Sequence, residues 1–280
     1  MIKIISLTAF ALVAFALNSI LCRMALKGDE ADAAGFTLVR LVSGAVTLAA
    51  ISYFFSSKTK QKGRGNWVSA FFLFAYAICF SFAYLSLTTA TGALILFGSV
   101  QLTMILFALL KGERPGGFEW VGLVVAVFGL IYLVFPGLAS PPLVGSALMA
   151  AAGMAWGAYT LRGRSSGDPL GDTTGNFVRS LPFVALSSLV FLPNLHLSSR
   201  GMVLAVLSGA LASGVGYTVW YAALKYHTST RAAVLQLAVP VLAAAGGVVF
   251  LSESSDRRLA IAAALILGGI ALTIFGRRSS

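Results

Sequence analysis

Charge is what this 280-residue chain has least of: Asp, Glu, Lys and Arg together make up 10% of it, against roughly 25% in soluble domains. Residues of the AVILMFWYC set make up 58% and glycines number 29, so a soluble fold of this composition could not cover its own surface. Acids are the scarcest charges, nine against 20 lysines and arginines, and histidines number two. No acid falls deep inside an apolar stretch, which removes paired-carboxylate chemistry and any obvious buried carboxylate for proton coupling. His196 and His227 read as loop residues. Cys22 and Cys79 lie in apolar surroundings with no CxxC and no metal-ligand spacing, so they read as small hydrophobes. With no nucleophile–base pair and no metal cluster in the pattern, an enzyme is not expected, and neither is a cofactor or a metal.

The net charge of +11 would raise the question of nucleic acid in a soluble protein. Here the basic residues are scattered over short loops with no interleaved aromatics, so they read as topology determinants at membrane edges. The apolar run after Lys3 resembles a signal peptide, but no small-x-small site follows it, and it is taken as a retained first span.

Apolar stretches recur along the whole chain at Ile4–Cys22, Phe36–Phe55, Trp67–Leu87, Gly92–Leu110, Phe118–Phe135, Leu143–Leu161, Asn176–Leu192, Met202–Leu224, Ala232–Leu251 and Leu259–Phe275. None alternates as a barrel strand would, and helices are the other way to satisfy backbone polar groups in lipid. At about 20 residues per span, ten helices leave no room for a sizeable extramembrane domain. With the N-terminus inside, the inner segments hold Lys3, Lys58, Lys60, Lys62, Arg64, Lys111, Arg114, Arg162, Arg164, Lys225, Arg231, Arg277 and Arg278. The outer ones hold only Arg23, Lys27, Arg200, Arg257 and Arg258. The positive-inside rule therefore places both termini in the cytoplasm.

The two halves match at an offset of about 140 residues. Phe36–Arg40 parallels Gly175–Arg179, Phe80–Leu87 parallels Tyr217–Leu224, Leu110–Glu113 parallels Phe250–Glu253, and Gly129–Phe135 parallels Gly269–Phe275. Five spans is an odd number, so residues 138–280 would sit upside down relative to residues 1–137. The expected fold is an all-α integral membrane protein of ten transmembrane helices in two inverted five-helix repeats. Such repeats are the architecture of secondary transporters, with the substrate site near the midplane.

These residues resemble the drug/metabolite transporter superfamily, in its ten-helix EamA-type branch. The likeness rests on Asn18 and Trp156–Tyr159 in the first helix of each half, Arg40 and Arg179 early in the second, Tyr84 with Leu87 and Tyr221 with Leu224 in the third, and Glu113 and Glu253 ending the fourth. The opening Phe15–Arg23 is similar to amino-acid exporters of the YddG type. The resemblance implies export of a small metabolite, an amino acid by preference, from a bacterial inner membrane. One departure stands out: Pro240 occupies the middle of the fourth helix in the second half, whereas Val100-Gln101 stands there in the first, with Gly98 and Ser99 as alternative points of flexibility.

Several side chains could carry such chemistry. Arg40 and Arg179 each lie about five residues into a span, where an arginine is functional by default. Either forks a substrate carboxylate or snorkels to the interface, and the shallow placement favours the interface. Trp156, Tyr159, Tyr217, Trp220 and Tyr221 form an aromatic set in which Tyr217 and Tyr221 share a face; they line a cavity or make an interfacial belt. Asn18, Gln101 and Gln236 are uncharged polar groups well inside spans, suited to a substrate or to bonds across helices. Tyr84 completes the substrate-binding candidates. Gly98 and Pro240 are candidate hinge or kink points. Gly92, Gly129, Gly246, Gly247, Gly268 and Gly269 read as close-packing positions. Glu113 and Glu253 read as structural acids beside Arg114 and Arg257. The expected partners are a small-molecule substrate and membrane lipid, with a monomer expected and a dimer compatible. A transporter of another metabolite or drug class, and a non-transporting scaffold or lipid scramblase, are the alternatives.

Overall fold

The computed structural model describes residues 2–55, 65–110, 112, 116–135, 140–163, 166–224, 226–227, 235–254 and 256–276. Glu113 and the loop cations Lys58, Lys60, Lys62, Arg64, Lys111, Arg114, Arg164, Lys225, Arg231, Arg277 and Arg278 lie outside the described residues.

The described chain is helical, with a single isolated backbone bridge, Ala31 to Leu197, between two loops. The first half contributes α1 (Ile2–Lys27), α2 (Ala33–Phe55), α3 (Trp67–Ala83), α4 (Thr89–Leu110) and α5 (Gly117–Val134). The second contributes α6 (Leu143–Gly163) and α7 (Pro169–Val190). A continuous rod follows, made of α8 (Ser199–Val206), a π-helical segment (Leu207–Val215) and α9 (Gly216–Leu224). Then come α10 (Ala238–Leu251) and α11 (Arg257–Gly276). By length and apolarity, Ile2–Lys27, Ala33–Phe54, Thr89–Phe107 and Ser199–Ala223 could each cross a membrane; Trp67–Ala83, Gly117–Leu133 and Ala238–Leu251 are shorter apolar helices.

Polar caps set the helix starts, satisfying N–H groups that have no intrahelical acceptor. Asp32 Oδ1 accepts from Ala34 and Gly35 N at 2.9 and 2.8 Å, and Asn66 Oδ1 from Ser69 N at 2.8 Å. Ser198 Oγ accepts from Gly201 N at 3.0 Å and Asp256 Oδ1 from Leu259 N at 2.7 Å. The seventh apolar stretch, read from Asn176, begins instead at Pro169. Asp168 caps it through Gly171 N and Pro169 opens its first turn, where a missing N–H costs nothing. The first two turns carry Asp172, Thr173, Thr174 and two glycines, so hydropathy alone passes over them.

Helices of one half pack mainly on helices of the other. α1 lies against the α8–α9 rod and α10, just as α6 lies against α3 and α4; α2 faces α7, and α5 faces α11. In lipid such docking needs close backbone approach, which small residues permit. A Cβ on Gly269 would stand 2.6 Å from both Ala126 N and Gly122 O on α5. Gly92, Gly129, Gly246 and Gly247 are also tightly enclosed, but a Cβ on Gly268 would meet nothing within 4 Å. Gly268 is therefore not a packing position: it faces away from α5 while its neighbour faces in.

Gly269→Val, purified in detergent, is expected to lose about 1–3 kcal/mol through overpacking, read as a lower thermal unfolding midpoint. Gly268→Val carries the same helix-propensity change and should leave the midpoint nearly unmoved. Equal shifts in the two would contradict this docking of α5 on α11.

Candidate functional site

A cavity of about 410 Å³ opens where the halves meet, within the size range of small-molecule sites. Its wall runs from Asn18, Ser19 and Phe80 in the helix interiors to Ser166 and His227 in loops and Pro169 at the start of α7, at one end of the bundle. That mouth is at the end carrying the start of α1. Trp156 of α6 is the centre of the aromatic lining: its ring lies 4.9 Å from Tyr76, 5.2 Å from Tyr217 and 5.4 Å from Tyr159. Phe15 completes the wall, edge-on to Tyr217 and Trp220 at 5.7 Å each.

The structure brings Asn18, Gln101, Trp156, Tyr159, Tyr217, Trp220, Tyr221 and Gln236 onto this one cavity. Tyr217, Tyr159 and Trp220 are buried, so they belong to the interior and not to an interfacial belt. Arg40, Tyr84 and Arg179 are not on the wall. Tyr84 is buried in packing, its hydroxyl donating to Thr89 O at 3.3 Å. Arg179 bonds Gly175 O at 3.2 Å and lies over the Trp67 ring; because α7 begins at Pro169, it stands midway along its helix and not about five residues from the start. Gly98 packs toward Leu130 and Ile266. Pro240 stands in the first turn of α10, where proline fits without breaking a hydrogen bond, rather than midway along a continuous helix.

Arg40 departs most from expectation. It does not snorkel: it is 2% exposed, with the rings of Phe80 and Tyr76 at 4.9 and 5.2 Å from its guanidinium carbon. Those rings, together with α7 and the π segment packed on α2, close its route to the interface. Arg40 Nη2 donates to Tyr76 Oη at 2.9 Å, while Nη1 is buried with no hydrogen-bond partner among the described residues.

Asn18 is held from behind. Its Oδ1 accepts from Ser208 Oγ at 2.8 Å and Ser213 Oγ at 3.4 Å, leaving the amide nitrogen as the group it can offer to the cavity. The two serines are five residues apart inside the π segment. In an α-helix they would diverge by about 140° at 100° per residue; i→i+5 hydrogen bonding brings them onto one side.

The end opposite the mouth is tied across the halves. Glu253 was expected beside Arg257 but instead pairs with Arg23 at 3.4 Å, its side chain 7% exposed. Its Oε2 also accepts from Thr89 N at 2.8 Å, a favourable place for a carboxylate at the start of α4. The left-handed backbone of Ser252 folds the chain back after α10 to bring it there. Arg23 Nη1 donates to Tyr84 O at 2.7 Å, Lys27 Nζ to Leu251 O at 2.9 Å, and His196 N to Asp32 Oδ2 at 2.8 Å. At the mouth, His227 reaches inward from its loop, its Nε2 2.8 Å from Thr8 Oγ1. Among the described residues, no group of three or more His, Cys, Asp or Glu gathers to hold a metal.

Tyr76, Phe80 and Phe15 are wall residues that the sequence reading passed over. The repeat carried a signal for one of them, since Phe80 is the counterpart of Tyr217. The repeat also misled, because Tyr84 and Tyr221 correspond in sequence but only Tyr221 reaches the cavity.

Comparison with known proteins agrees with this architecture. An uncharacterized protein of Pseudomonas aeruginosa is 49% identical over 97% of this chain and 94% of its own length. The threonine/homoserine exporter RhtA of Escherichia coli is 31% identical over 62% of this chain and 60% of its own. A solved crystal structure, 22% identical, superposes with a TM-score of 0.68 over 96% of this chain and 98% of that one, which establishes a shared fold. The model of the EamA-like transporter family matches twice, over residues 2–135 and 143–275. The chain, an integral membrane protein built on two EamA domains, belongs to the EamA-like transporter family.

Proposed function

We propose that this chain is a secondary transporter exporting small metabolites, with neutral or aromatic amino acids as the leading class, by alternating access across a bacterial inner membrane. The observation that carries the reading is the aromatic cavity between the halves, lined by Trp156, Tyr217 and Tyr221 with Asn18, Gln101 and Gln236 among them. Flat rings stack apolar side chains, and the few polar groups orient a substrate. That RhtA exports threonine and homoserine favours amino acids as substrates.

In this reading, residues 1–137 and 138–280 are five-span repeats of opposite orientation, with both termini in the cytoplasm. The reciprocal pairing of α1 with the α8–α9 rod and of α6 with α3 supports such symmetry. The cavity then opens inward, and the Arg23–Glu253 tie holds the outer side shut. Transport needs that tie to break as the mouth closes, with Gly98 and Pro240 taking up the bending. With no carboxylate among the described residues of the cavity wall, export down a gradient is as well supported as proton coupling.

Liposomes holding the purified protein should show counterflow of labelled threonine or phenylalanine. Trp156→Ala should reduce it at least tenfold by opening the stacking surface. Absence of exchange with threonine, homoserine, phenylalanine, tryptophan and methionine, by folded protein, would exclude the amino-acid reading.

Sidedness is tested with single cysteines in a cysteine-free background. Ser166→Cys should react with a membrane-impermeant maleimide from the cytoplasmic side and Asp29→Cys from the outside. Glu253→Gln should raise labelling of a Thr160→Cys cavity probe from the outside severalfold. Reversed labelling of the first two would overturn the topology, and an unchanged Thr160→Cys rate would remove the tie from the gating mechanism.

A further inference from the structure

Two polar groups with incomplete hydrogen bonding lie at the deep wall of the cavity. Arg40 is a full positive charge inside the protein with no carboxylate partner among the described residues. The ion pairs among the described residues are Arg23–Glu253 and Arg200–Glu30. Among the described residues the titratable groups beside Arg40 are Tyr76, Tyr217 and Cys22, none of them a carboxylate. A buried guanidinium left this way is costly, yet it lies one hydrogen bond behind a wall residue.

That bond has a direction. Guanidinium can only donate, so the Tyr76 oxygen is the acceptor and its own O–H must point to another partner. Tyr76 lines the cavity, its ring wedged between Phe80 at 5.4 Å and Trp156 at 4.9 Å. Asn18 repeats the arrangement: two serine hydroxyls use its carbonyl oxygen, and the NH2 donor remains. The two supports meet, because Gly209, next to Ser208, is packed against the carbonyl of Arg40 and Ser43 Oγ.

We infer that Tyr76 and Asn18 form a donor-only carboxylate seat in the cavity, with Arg40 as the positioning residue that supplies positive field through Tyr76 without touching the substrate. This rests on the transporter reading and adds the chemical end by which the substrate is held: an anionic carboxylate at the deep wall, with the side chain on the aromatic cage. Charge-assisted hydrogen bonds are the strong ones, so a carboxylate gains here what an amide or an amine cannot.

The test uses intrinsic fluorescence of the full chain in detergent, since Trp156 and Trp220 line the same cavity. The probes share one side chain: phenylalanine, 3-phenylpropionate, phenylalanine amide and phenethylamine. The two carboxylates should bind at least tenfold more tightly than the amide and the amine. Tyr76→Phe keeps the ring packing and removes only the hydroxyl; it should weaken the carboxylates by about tenfold and leave the amine unchanged. Arg40→Lys, which retains charge but not the fork, should fall between wild type and Tyr76→Phe, and Tyr76→Phe alone decides the matter if the Arg40 variant does not fold. Equal binding of all four probes, binding of none, or uniform weakening by Tyr76→Phe overturns the seat. Carboxylate-selective binding without amino-acid counterflow would sustain the seat and fell the amino-acid export reading instead.

Discussion

The helices of each half are held chiefly by helices of the other, and that docking is the constraint on which the rest depends. Lipid tails are as apolar as the side chains, so burial gives little net drive for helices to associate. What remains is close packing and hydrogen bonding across the contacts. Gly269 against Gly122 and Ala126, and Gly209 against the Arg40 carbonyl, are places where a Cβ has no room. Larger residues there would hold the halves apart and dissolve the cavity between them.

The same junction arranges the polar chemistry. The π segment is rich in Ser, Gly and Ala, so it can approach α1 and α2 together, binding Asn18 on one side and abutting Arg40 on the other. Neither polar group is free in the sense of being solvated. The serines hold Asn18 from behind and Arg40 holds Tyr76, so the side that Asn18 and Tyr76 each turn to the cavity has a defined hydrogen-bonding sense. A cavity walled by Trp156, Phe15 and Tyr217 would accept many flat or aliphatic groups, and it is the oriented donors that give it polarity.

Legibility in the sequence followed the range of the interaction. Helix positions were readable because apolar runs and caps are local: Asn66 and Asp32 announce the starts of α3 and α2. Where the first two turns are polar and glycine-rich, as at Pro169–Asn176, hydropathy falls short. The cavity candidates were readable in part because polar and aromatic residues inside spans are unusual and their i, i+4 spacing is local, as with Tyr217 and Tyr221. Arg40 was misread because depth along the sequence says nothing about which rings cover the route out. Glu253 was misassigned for a similar reason: its true partner, Arg23, lies 230 positions away.

By itself the sequence determined that the chain is helical and membrane-embedded, that it is built twice from one plan, and which polar residues stand inside spans. Composition, period and offset are properties of the chain alone, and lipid leaves few ways to satisfy a backbone. Only the tertiary structure decided which side of each helix faces the cavity, that Tyr76 and not Tyr84 is on its wall, and that a π turn sets two serines on Asn18. These depend on side chains from distant segments meeting in space, and so does the absence of a carboxylate beside Arg40 among the described residues.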